Sequence, residues 1–298
     1  MKPSDTHIAF IGLGLMGVPM VNNLLKAGFR VTGFDLNSEV AEKFSGQNNF
    51  KFSKTAVEAV SDAAVTILML PDSSIIDGVI WGKVGQEGIS AHLKKGSFLV
   101  DMSSASPVSS RDNSQKLNEV GINYVDAPVS GGVKKAVDGT LSIIVGGSKE
   151  DFEKTHPLLE FMGKSITHVG SAGAAHAVKA LNNYISAAGL IAVSESLIAA
   201  EKFGLDTHVV NKVFNTSTGK NNTTENKVEN FMLSGAFNSG FSLALMSKDV
   251  QIALKFIKDM GCYSNLAQQC VKTSEEANQS LGKGADHTAV FKYVKSFQ

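Results

Sequence analysis

This sequence of 298 residues contains few cysteines and few arginines, and its net charge is zero at pH 7. Its two cysteines, Cys262 and Cys270, are too few for a disulfide framework and lack C-x-x-C spacing, so we expect the reducing cytoplasm as the compartment. The 28 basic and 28 acidic residues cancel at pH 7. Because this neutral balance gives no general attraction to phosphate backbones or anionic lipid, we expect no nucleic-acid partner and no membrane partner.

Long uninterrupted apolar runs are also missing. The apolar stretch 8–20 follows Lys2, but glycines interrupt it and two asparagines stand where a signal peptide would be cleaved, so we expect no signal peptide. No window reaches the ~18 consecutive apolar residues of a membrane span. The segment 172–200 comes closest, and it contains Lys179 and Glu195. We predict a buried helix there.

The first 170 residues alternate short β-rich runs with amphipathic helical stretches, the pattern of parallel βαβ units. Predicted strands are 7–11, 30–34, 65–69, 98–101, 123–126 and 141–145, with helices between them at, for example, 19–27, 106–119 and 149–162. A right-handed, doubly wound Rossmann-type sheet follows from this order.

Beyond residue 172 the strand signals stop and one helical stretch follows another. Predicted helices begin near the capping residues Asp206, Thr223, Ser242, Ser264 and Asp286. The expected fold is therefore α/β, with three parts: a dinucleotide-binding domain (1–170), a long connecting helix (171–204) and a smaller all-α C-terminal domain (205–298).

A full G-x-G-x-x-G motif follows the first predicted strand, at Gly12, Gly14 and Gly17. A strand before it, a helix after it and a second strand ending at Asp35 give it the context of a dinucleotide site. Gly12 permits the tight turn, Gly14 the approach of a pyrophosphate, and Gly17 the packing of helix on sheet. The candidate cofactor contacts here are Ile11, Gly12, Leu13, Gly14, Leu15, Met16 and Gly17.

Asp35 stands where a carboxylate accepts hydrogen bonds from the adenosine ribose hydroxyls and repels a 2′-phosphate. The chain has only two arginines, Arg30 at the far end of the same strand and Arg111, so no arginine near Asp35 compensates its charge. These features predict NAD rather than NADP as cofactor. The alternative for Asp35 is a turn or helix-capping role.

Four blocks of this sequence resemble the β-hydroxyacid dehydrogenase family. They are F-I-G-L-G-L-M-G-V-P-M at 10–20, D-A-P-V-S-G-G at 126–132, the stretch 173–183, and Lys248-Asp249. Together they cover nearly the whole chain in family order. The resemblance implies NAD-dependent, reversible oxidation of the 3-hydroxyl of a small 3-hydroxy acid to its semialdehyde, in an enzyme that forms a homodimer or homotetramer. The family includes enzymes of 3-hydroxyisobutyrate, tartronate semialdehyde, sulfolactaldehyde and threonate.

Lys179 and Asn183 are four residues apart in a helical stretch and so share one face. A lysine amine can act as the base for an alcohol when desolvation lowers its pKa toward neutrality. The resemblance implies the same roles: Lys179 as general acid and base, and Asn183 as a holder of the reacting oxygen or of the lysine. His176 is either a proton relay or a packed, hydrogen-bonded helix residue, and we leave it outside the catalytic set.

The Ser130, Gly131 and Gly132 loop offers a hydroxyl and backbone N–H groups to the substrate carboxylate, which the resemblance places there. By the same resemblance Lys248 contributes to substrate and cofactor binding, whereas Asp249 supports its helix or pairs locally. The remaining predicted cofactor contacts end two strands: Leu70, Pro71 and Ser103. No His, Cys or carboxylate spacing indicates a metal site, and the hydride chemistry needs none.

Two departures from the family pattern and two rival functions remain. Lys134 and Lys135 replace the Gly-Ala common in the family; they either favour a second anionic group on the substrate or form a solvated edge. The polar stretch 216–227 favours a polar or charged substrate tail over a branched aliphatic one. An imine reductase on the same scaffold typically lacks a lysine at position 179, and a silent NAD-binding module would be expected to lose Lys179 or the Ser130 loop.

Overall fold

The computed structural model describes residues 1–282 and 284–297, and it divides the chain into two compact units, Met1–Lys179 and Ala180–Gln298. The boundary between them lies inside one long helix. The strands, in chain order, are β1 (His7–Ile11), β2 (Arg30–Phe34), β3 (Phe50–Phe52), β4 (Val65–Leu68), β5 (Gly82–Lys83), β6 (Gln86–Glu87), β7 (Phe98–Asp101), β8 (Asn123–Asp126), β9 (Val129–Ser130), β10 (Leu141–Gly146) and β11 (Gly163–Gly170).

Nine of these strands form one sheet in the first unit, in the order β11-β10-β8-β7-β4-β1-β2-β3, with β9 added beside β10. From β8 to β3 every neighbouring pair is parallel, whereas β10 pairs antiparallel with β8 and with β9. Strands β5 and β6 form a separate hairpin. The strand order reverses at β1, where β2 lies on one side and β4 on the other, and such switch points are where open α/β sheets bind ligands.

The described helices are α1 (Gly17–Lys26), α2 (Ala56–Val60), α3 (Ser73–Trp81), α4 (Pro107–Glu119), α5 (Gly132–Asp138), α6 (Lys149–Leu159), α7 (Ala174–Lys202), α8 (Thr207–Thr216), α9 (Asn222–Asn226), α10 (Leu243–Asp259), α11 (Asn265–Leu281) and α12 (Val290–Lys295). Shorter helical turns cover Pro3–Asp5, Ser38–Phe44, Ser90–His92 and His287–Ala289, and Val228–Leu233 is a π-helix.

The sheet is buried on both faces because its strands are apolar on both faces. Ile8 and Phe10 of β1 belong to one hydrophobic core, which includes residues of α1, and Ala9 and Ile11 belong to a second core, which includes residues of α3. Successive side chains of a strand point to opposite faces, so a continuous apolar run places a core on each side. This is the physical basis of the doubly wound fold.

The second unit is helical and packs around the C-terminal part of α7. Leu190, Val193 and Leu197 of α7 are buried in a core shared with Met246 and Val250 of α10. By length and composition alone α7 would also pass as a membrane span, with 39% of its most apolar 18-residue window buried. Its buried residues in the second unit pack in this core.

The predicted fold class is confirmed, and all six predicted strands form within one residue of their expected bounds. The side chains of Asp206, Ser242, Ser264 and Asp286 cap helical segments as expected. Near Thr223 the helix starts slightly earlier, because Asn221 is the cap of α9. The sequence did not predict the two edge strands of the sheet, β3 and β11, the strand β9 or the hairpin of β5 and β6.

Candidate active site

The glycine-rich loop lies at the carboxyl ends of three neighbouring parallel strands. The backbone N–H of Gly12 donates to the Phe34 carbonyl at the end of β2, at 2.9 Å, and Met69 N–H after β4 donates to the Ile11 carbonyl, also at 2.9 Å. These bonds fix the turn that connects β1 to α1. The loop therefore occupies the switch point of the sheet, as the motif predicts.

Each glycine of the motif meets a different steric requirement. Gly12 has a φ of +99°, and a Cβ on it would collide with the Met69 carbonyl. A Cβ on Gly17 would collide with the Gly12 carbonyl, so this glycine allows the loop to close on the start of α1. A Cβ on Gly14 would meet no atom within 4 Å, and the neighbouring Leu15 is 79% exposed. The loop thus presents an open backbone surface, which fits a dinucleotide pyrophosphate.

Asp35 holds this loop from the end of β2. Its Oδ2 accepts the backbone N–H of Leu13 at 2.7 Å, and its Oδ1 accepts the N–H of Asn37 at 2.8 Å. The carboxylate is therefore fixed beside the glycine-rich turn. This is a position from which it can receive ribose hydroxyls.

Ser103 and Leu70, predicted separately as cofactor contacts, are in direct contact. The Leu70 N–H donates to Ser103 Oγ at 2.9 Å, and the Ser103 N–H donates to Asp101 Oδ1 at 3.1 Å. Ser103 is buried. Pro71, which follows Leu70 in the loop after β4, is exposed. The serine hydroxyl thus orients the loop after β4.

The Ser130 loop joins β9 to α5 through two glycines with positive φ angles. Gly131 has a φ of +130° and Gly132 a φ of +68°, conformations that L side chains rarely adopt. Ser130 is half-buried at the end of β9 and pairs with Ser142 of β10. The aliphatic part of Lys135 lies against Gly131, and both Lys134 and Lys135 are exposed.

Lys179 and Asn183 occupy consecutive turns of α7, with the Lys179 residue only 7% exposed. Asn183 Nδ2 donates to Asp249 Oδ2 of α10 at 2.5 Å. Asp249 is itself buried, and its Oδ1 lies 3.7 Å from the ammonium of Lys248. Asp249 was expected to support its helix or pair locally; in addition to a local pair with Lys248 it fixes the amide of Asn183, a role that the sequence did not indicate.

Asp126 ties the strand that leads to the Ser130 loop to the first turn of α7. Its Oδ1 accepts the Gly173 N–H at 2.8 Å and its Oδ2 accepts the His176 N–H at 3.0 Å, all three groups being buried. A carboxylate is well matched to the N–H groups exposed at a helix N-terminus. The sequence offered one signal for this residue, since Asp126 opens the D-A-P-V-S-G-G block.

His176 is packed and hydrogen-bonded through both ring nitrogens. Nε2 donates to the Ser103 carbonyl at 3.0 Å, and Nδ1 lies 2.7 Å from Ser110 Oγ. Beside it, burial and the charges of Asp101 and Asp126 raise the pKa of Tyr124 well above its usual value, so this phenol stays protonated. The imidazole thus connects the cofactor-side Ser103 with the helix that carries Lys179.

Over residues 1–282 and 284–297, no group of three or more His, Cys, Asp or Glu side chains is placed to hold a metal ion. The described residues offer an open glycine-rich loop, a fixed acid beside it, a buried lysine and the glycine-containing Ser130 loop. Such a set can bind a dinucleotide and a small carboxylate and can transfer a proton.

Two sequence models match the chain. Residues 7–170 match the NAD binding domain of 6-phosphogluconate dehydrogenase, and residues 173–294 match the NAD-binding domain of NADP-dependent 3-hydroxyisobutyrate dehydrogenase. The two matches cover almost the entire chain and divide it near the start of α7.

Individual relatives extend the likeness. The chain is 41% identical over 253 residues to 2-(hydroxymethyl)glutarate dehydrogenase of Eubacterium barkeri, covering 85% of this chain and 82% of that protein. It is 35% identical to 2-hydroxy-3-oxopropionate reductase of Escherichia coli, covering 95% of each. A structure of Mycobacterium tuberculosis 3-hydroxyisobutyrate dehydrogenase with L-serine superposes with a TM-score of 0.88 at 32% identity, covering 99% of this chain and 100% of that one.

Proposed function

Since the chain belongs to the β-hydroxyacid dehydrogenase family, we propose that it oxidises the 3-hydroxyl of a small 3-hydroxy acid to the semialdehyde, reversibly and with NAD. The observation that carries this proposal is the buried Lys179 one turn before Asn183, whose amide Asp249 holds. A lone lysine on an exposed helix face would have no such surroundings.

Lys179 acts as the general base in the oxidation. Its neutral amine accepts the hydroxyl proton at Nζ, and in the reduction the ammonium returns that proton to the carbonyl oxygen. The glycine-rich loop and Asp35 would hold NAD, which would supply the acceptor for the hydride from the carbinol carbon. Asn183 uses its second amide N–H to hold the reacting oxygen, because Asp249 already accepts the first.

The cofactor preference is for NAD over NADP. Asp35 places a carboxylate beside the glycine-rich loop, with both oxygens already oriented by backbone N–H groups. A 2′-phosphate brought to this position would meet that charge, and neither arginine of the chain, Arg30 or Arg111, stands among the residues directly after Asp35. Leu70, Pro71 and Ser103 complete the cofactor side of the site.

The substrate carboxylate binds at Ser130, Gly131 and Gly132. The positive φ angles of Gly131 and Gly132 are of the kind that lets successive backbone N–H groups form an anion site, and the Ser130 hydroxyl stands next to them in the chain. Lys248 contributes positive charge toward substrate and cofactor. The substrate tail is polar or charged, in keeping with the polar stretch 216–227.

The enzyme forms a homodimer or homotetramer in the cytoplasm. Large apolar side chains of the second unit, among them Ile185, Phe203 and Val209, are exposed, and a second subunit would cover such surfaces. Neither cysteine is in a disulfide: Cys262 is exposed and Cys270 is buried. Light scattering of the purified protein tests the oligomeric state.

The function is tested by following absorbance at 340 nm with NAD and with NADP over a panel of acids. The panel contains 3-hydroxyisobutyrate, L-serine, threonate, glycerate, 3-hydroxypropionate, 2-(hydroxymethyl)glutarate and dihydroxypropanesulfonate. We expect strong NAD-linked oxidation of at least one acid. No turnover on any of them, with NAD still bound, would contradict the proposal and support a silent NAD-binding module.

A further inference from the structure

One stripe of α7 continues beyond the proposed catalytic pair. Lys179, Asn183 and Ser186 are separated by four and three residues, so their side chains leave the helix on the same side. Ser186 is half-buried, as is Asn183. Asn183 and Ser186 are about 4.5 Å apart along the helix axis. The carbon chain of a short dicarboxylic acid spans such a distance.

A buried lysine donates a hydrogen bond to Ser186, the last residue of this stripe. Lys227, at the end of α9, is 9% exposed, and its Nζ lies 3.1 Å from Ser186 Oγ. Its own carbonyl accepts the N–H groups of both Phe231 and Met232, at 3.0 and 3.2 Å, where α9 passes into the π-helical turn. Local π-helical geometry of this kind occurs frequently at functional sites.

The charge of Lys227 is poorly compensated. In the described ranges no carboxylate lies within 4.0 Å of its ammonium, and Ser186 is the hydrogen-bond partner it has there. Asp286 is close enough to oppose the effect of burial, but its oxygens accept from Ser239, Gly240 and Thr288. Burial lowers the pKa of Lys227 to about 8, so the amine is still mostly protonated at pH 7.

A buried cation that is bonded to a single hydroxyl is costly to the fold. An anionic ligand group would supply the missing countercharge through a charge-assisted hydrogen bond. Lys220, in the same polar stretch, differs on each point: it is exposed and its ammonium lies 3.0 Å from Glu225. Lys227 therefore carries a buried charge without a carboxylate partner, whereas Lys220 carries a solvated charge that is paired with Glu225.

We propose that Lys227 and Ser186 form a subsite for a second carboxylate of the substrate, at the end away from the reacting hydroxyl. This inference rests on the proposed function and narrows its substrate class to 3-hydroxy acids with a second carboxylate. The subsite then holds the second carboxylate, and the reacting hydroxyl is left to Lys179 and Asn183 of the same stripe. A branched aliphatic tail would leave the ammonium of Lys227 desolvated and without a partner.

The test uses two substrates that differ only at the tail: 2-(hydroxymethyl)glutarate, and 2-(hydroxymethyl)pentanoate, in which a methyl group replaces the second carboxylate. The values of kcat/KM are measured for the wild type, Lys227→Met and, as control, Lys272→Met, which removes an exposed lysine of α11 that pairs with Glu276. We expect the Lys227→Met variant to lose roughly 10- to 100-fold on the diacid and to change less than about twofold on the monoacid, as loss of one charge-assisted hydrogen bond implies. The Lys272→Met variant should change neither value.

Binding of 2-methylglutarate, a diacid without the hydroxyl, tests the subsite independently of the oxidation reaction. Calorimetry should show it binding to the wild type and roughly 10-fold more weakly to Lys227→Met and to Ser186→Ala. If the wild type oxidises no acid but binds this diacid through Lys227, the proposed function fails and the subsite stands. Equal losses on diacid and monoacid, or undiminished diacid binding by both variants, would overturn the subsite.

Discussion

Asp126 and His176 are joined by a hydrogen bond between a buried carboxylate and a backbone N–H, with 3.0 Å between Oδ2 and N. Fifty residues separate the two in sequence. Together with the bond to Gly173 it fixes the first turn of α7 on the end of β8, three residues before Lys179. The direction of the helix at its proposed catalytic residue is therefore set by an acid that takes no part in the chemistry.

Replacement of Asp126 by asparagine should weaken this attachment. The amide keeps the shape but presents an NH₂ group to one of the two backbone donors, so we expect the free energy of unfolding to fall by about 2–3 kcal/mol. Because the first turn of α7 shifts, kcat should fall about 10-fold at temperatures where the variant is folded, with the KM for NAD unchanged. Asp138→Asn, at the exposed end of α5, is the matched control. A loss of stability with kcat intact would show that Asp126 is structural only.

Lys179→Met should abolish turnover without disturbing the cofactor site. Methionine keeps the length of the side chain but cannot exchange a proton, so kcat should fall by about 10²- to 10⁴-fold. NADH binding, measured by its fluorescence, should stay within about twofold of the wild type. Lys202→Met, at the exposed end of the same helix, should leave both quantities unchanged. Turnover retained by Lys179→Met would exclude the lysine as the acid and base.

Local patterns in the sequence predict the glycine-rich loop well and the edge of the sheet poorly. Strand β1, the loop and α1 follow each other directly, so each supports the interpretation of the next. Strand β11 (Gly163–Gly170) was missed because its first six residues include Lys164, Ser165, Thr167 and His168, a polar series that is typical of a loop. It lies at an edge, beside β10 alone, where fewer side chains need to be buried.

The supporting residues of the site could not be predicted for a different reason. The bond from Asn183 to Asp249 spans 66 residues and the bond from Asp126 to His176 spans 50. No periodicity in one chain reports which buried carboxylate meets which donor, because that depends on how helices and strands pack. The sequence identified the residue types that carry chemistry, whereas their partners followed only from the fold.

Asp35→Ser should relax the choice of cofactor. The shorter hydroxyl removes the charge that repels a 2′-phosphate and one acceptor for the ribose, so the ratio of kcat/KM for NAD over NADP should fall roughly 10- to 100-fold. Binding of NAD itself should also weaken, because Leu13 N–H loses its carboxylate acceptor. Asp62→Ser, an exposed acid after α2, is the control. An unchanged ratio would contradict the role given to Asp35.

Asp249→Ala should impair catalysis through Asn183. The Nδ2 group of Asn183 loses its partner at 2.5 Å and the amide is free to rotate, so kcat should fall about 10-fold. Asp259→Ala, at the exposed end of the same helix, removes an acid that pairs with Lys255 and should have no effect on kcat. The comparison is made at saturating NAD, and a kcat equal to that of the wild type would show that Asn183 needs no anchor.

The last prediction concerns the cost of keeping Lys227 buried. Its pKa in the folded protein is about 8, against about 10.4 in an unfolded chain. Below pH 8 both states carry the proton and the folded state bears the full cost of the buried charge. Between about pH 8 and 10.4 only the unfolded state remains protonated, so the wild type gains stability as pH rises.

Lys227→Met should therefore be more stable than the wild type at pH 7, by about 1–3 kcal/mol in the free energy of unfolding, and this gap should narrow as pH rises from about 8 to about 10. Urea unfolding at several pH values measures it. Lys220→Met, which removes an exposed and paired lysine, should show a difference near zero at every pH. A Lys227→Met protein less stable than the wild type at pH 7 would mean that the bond to Ser186 outweighs the cost of burial, and the lysine would then be a structural residue with no need of an anionic ligand.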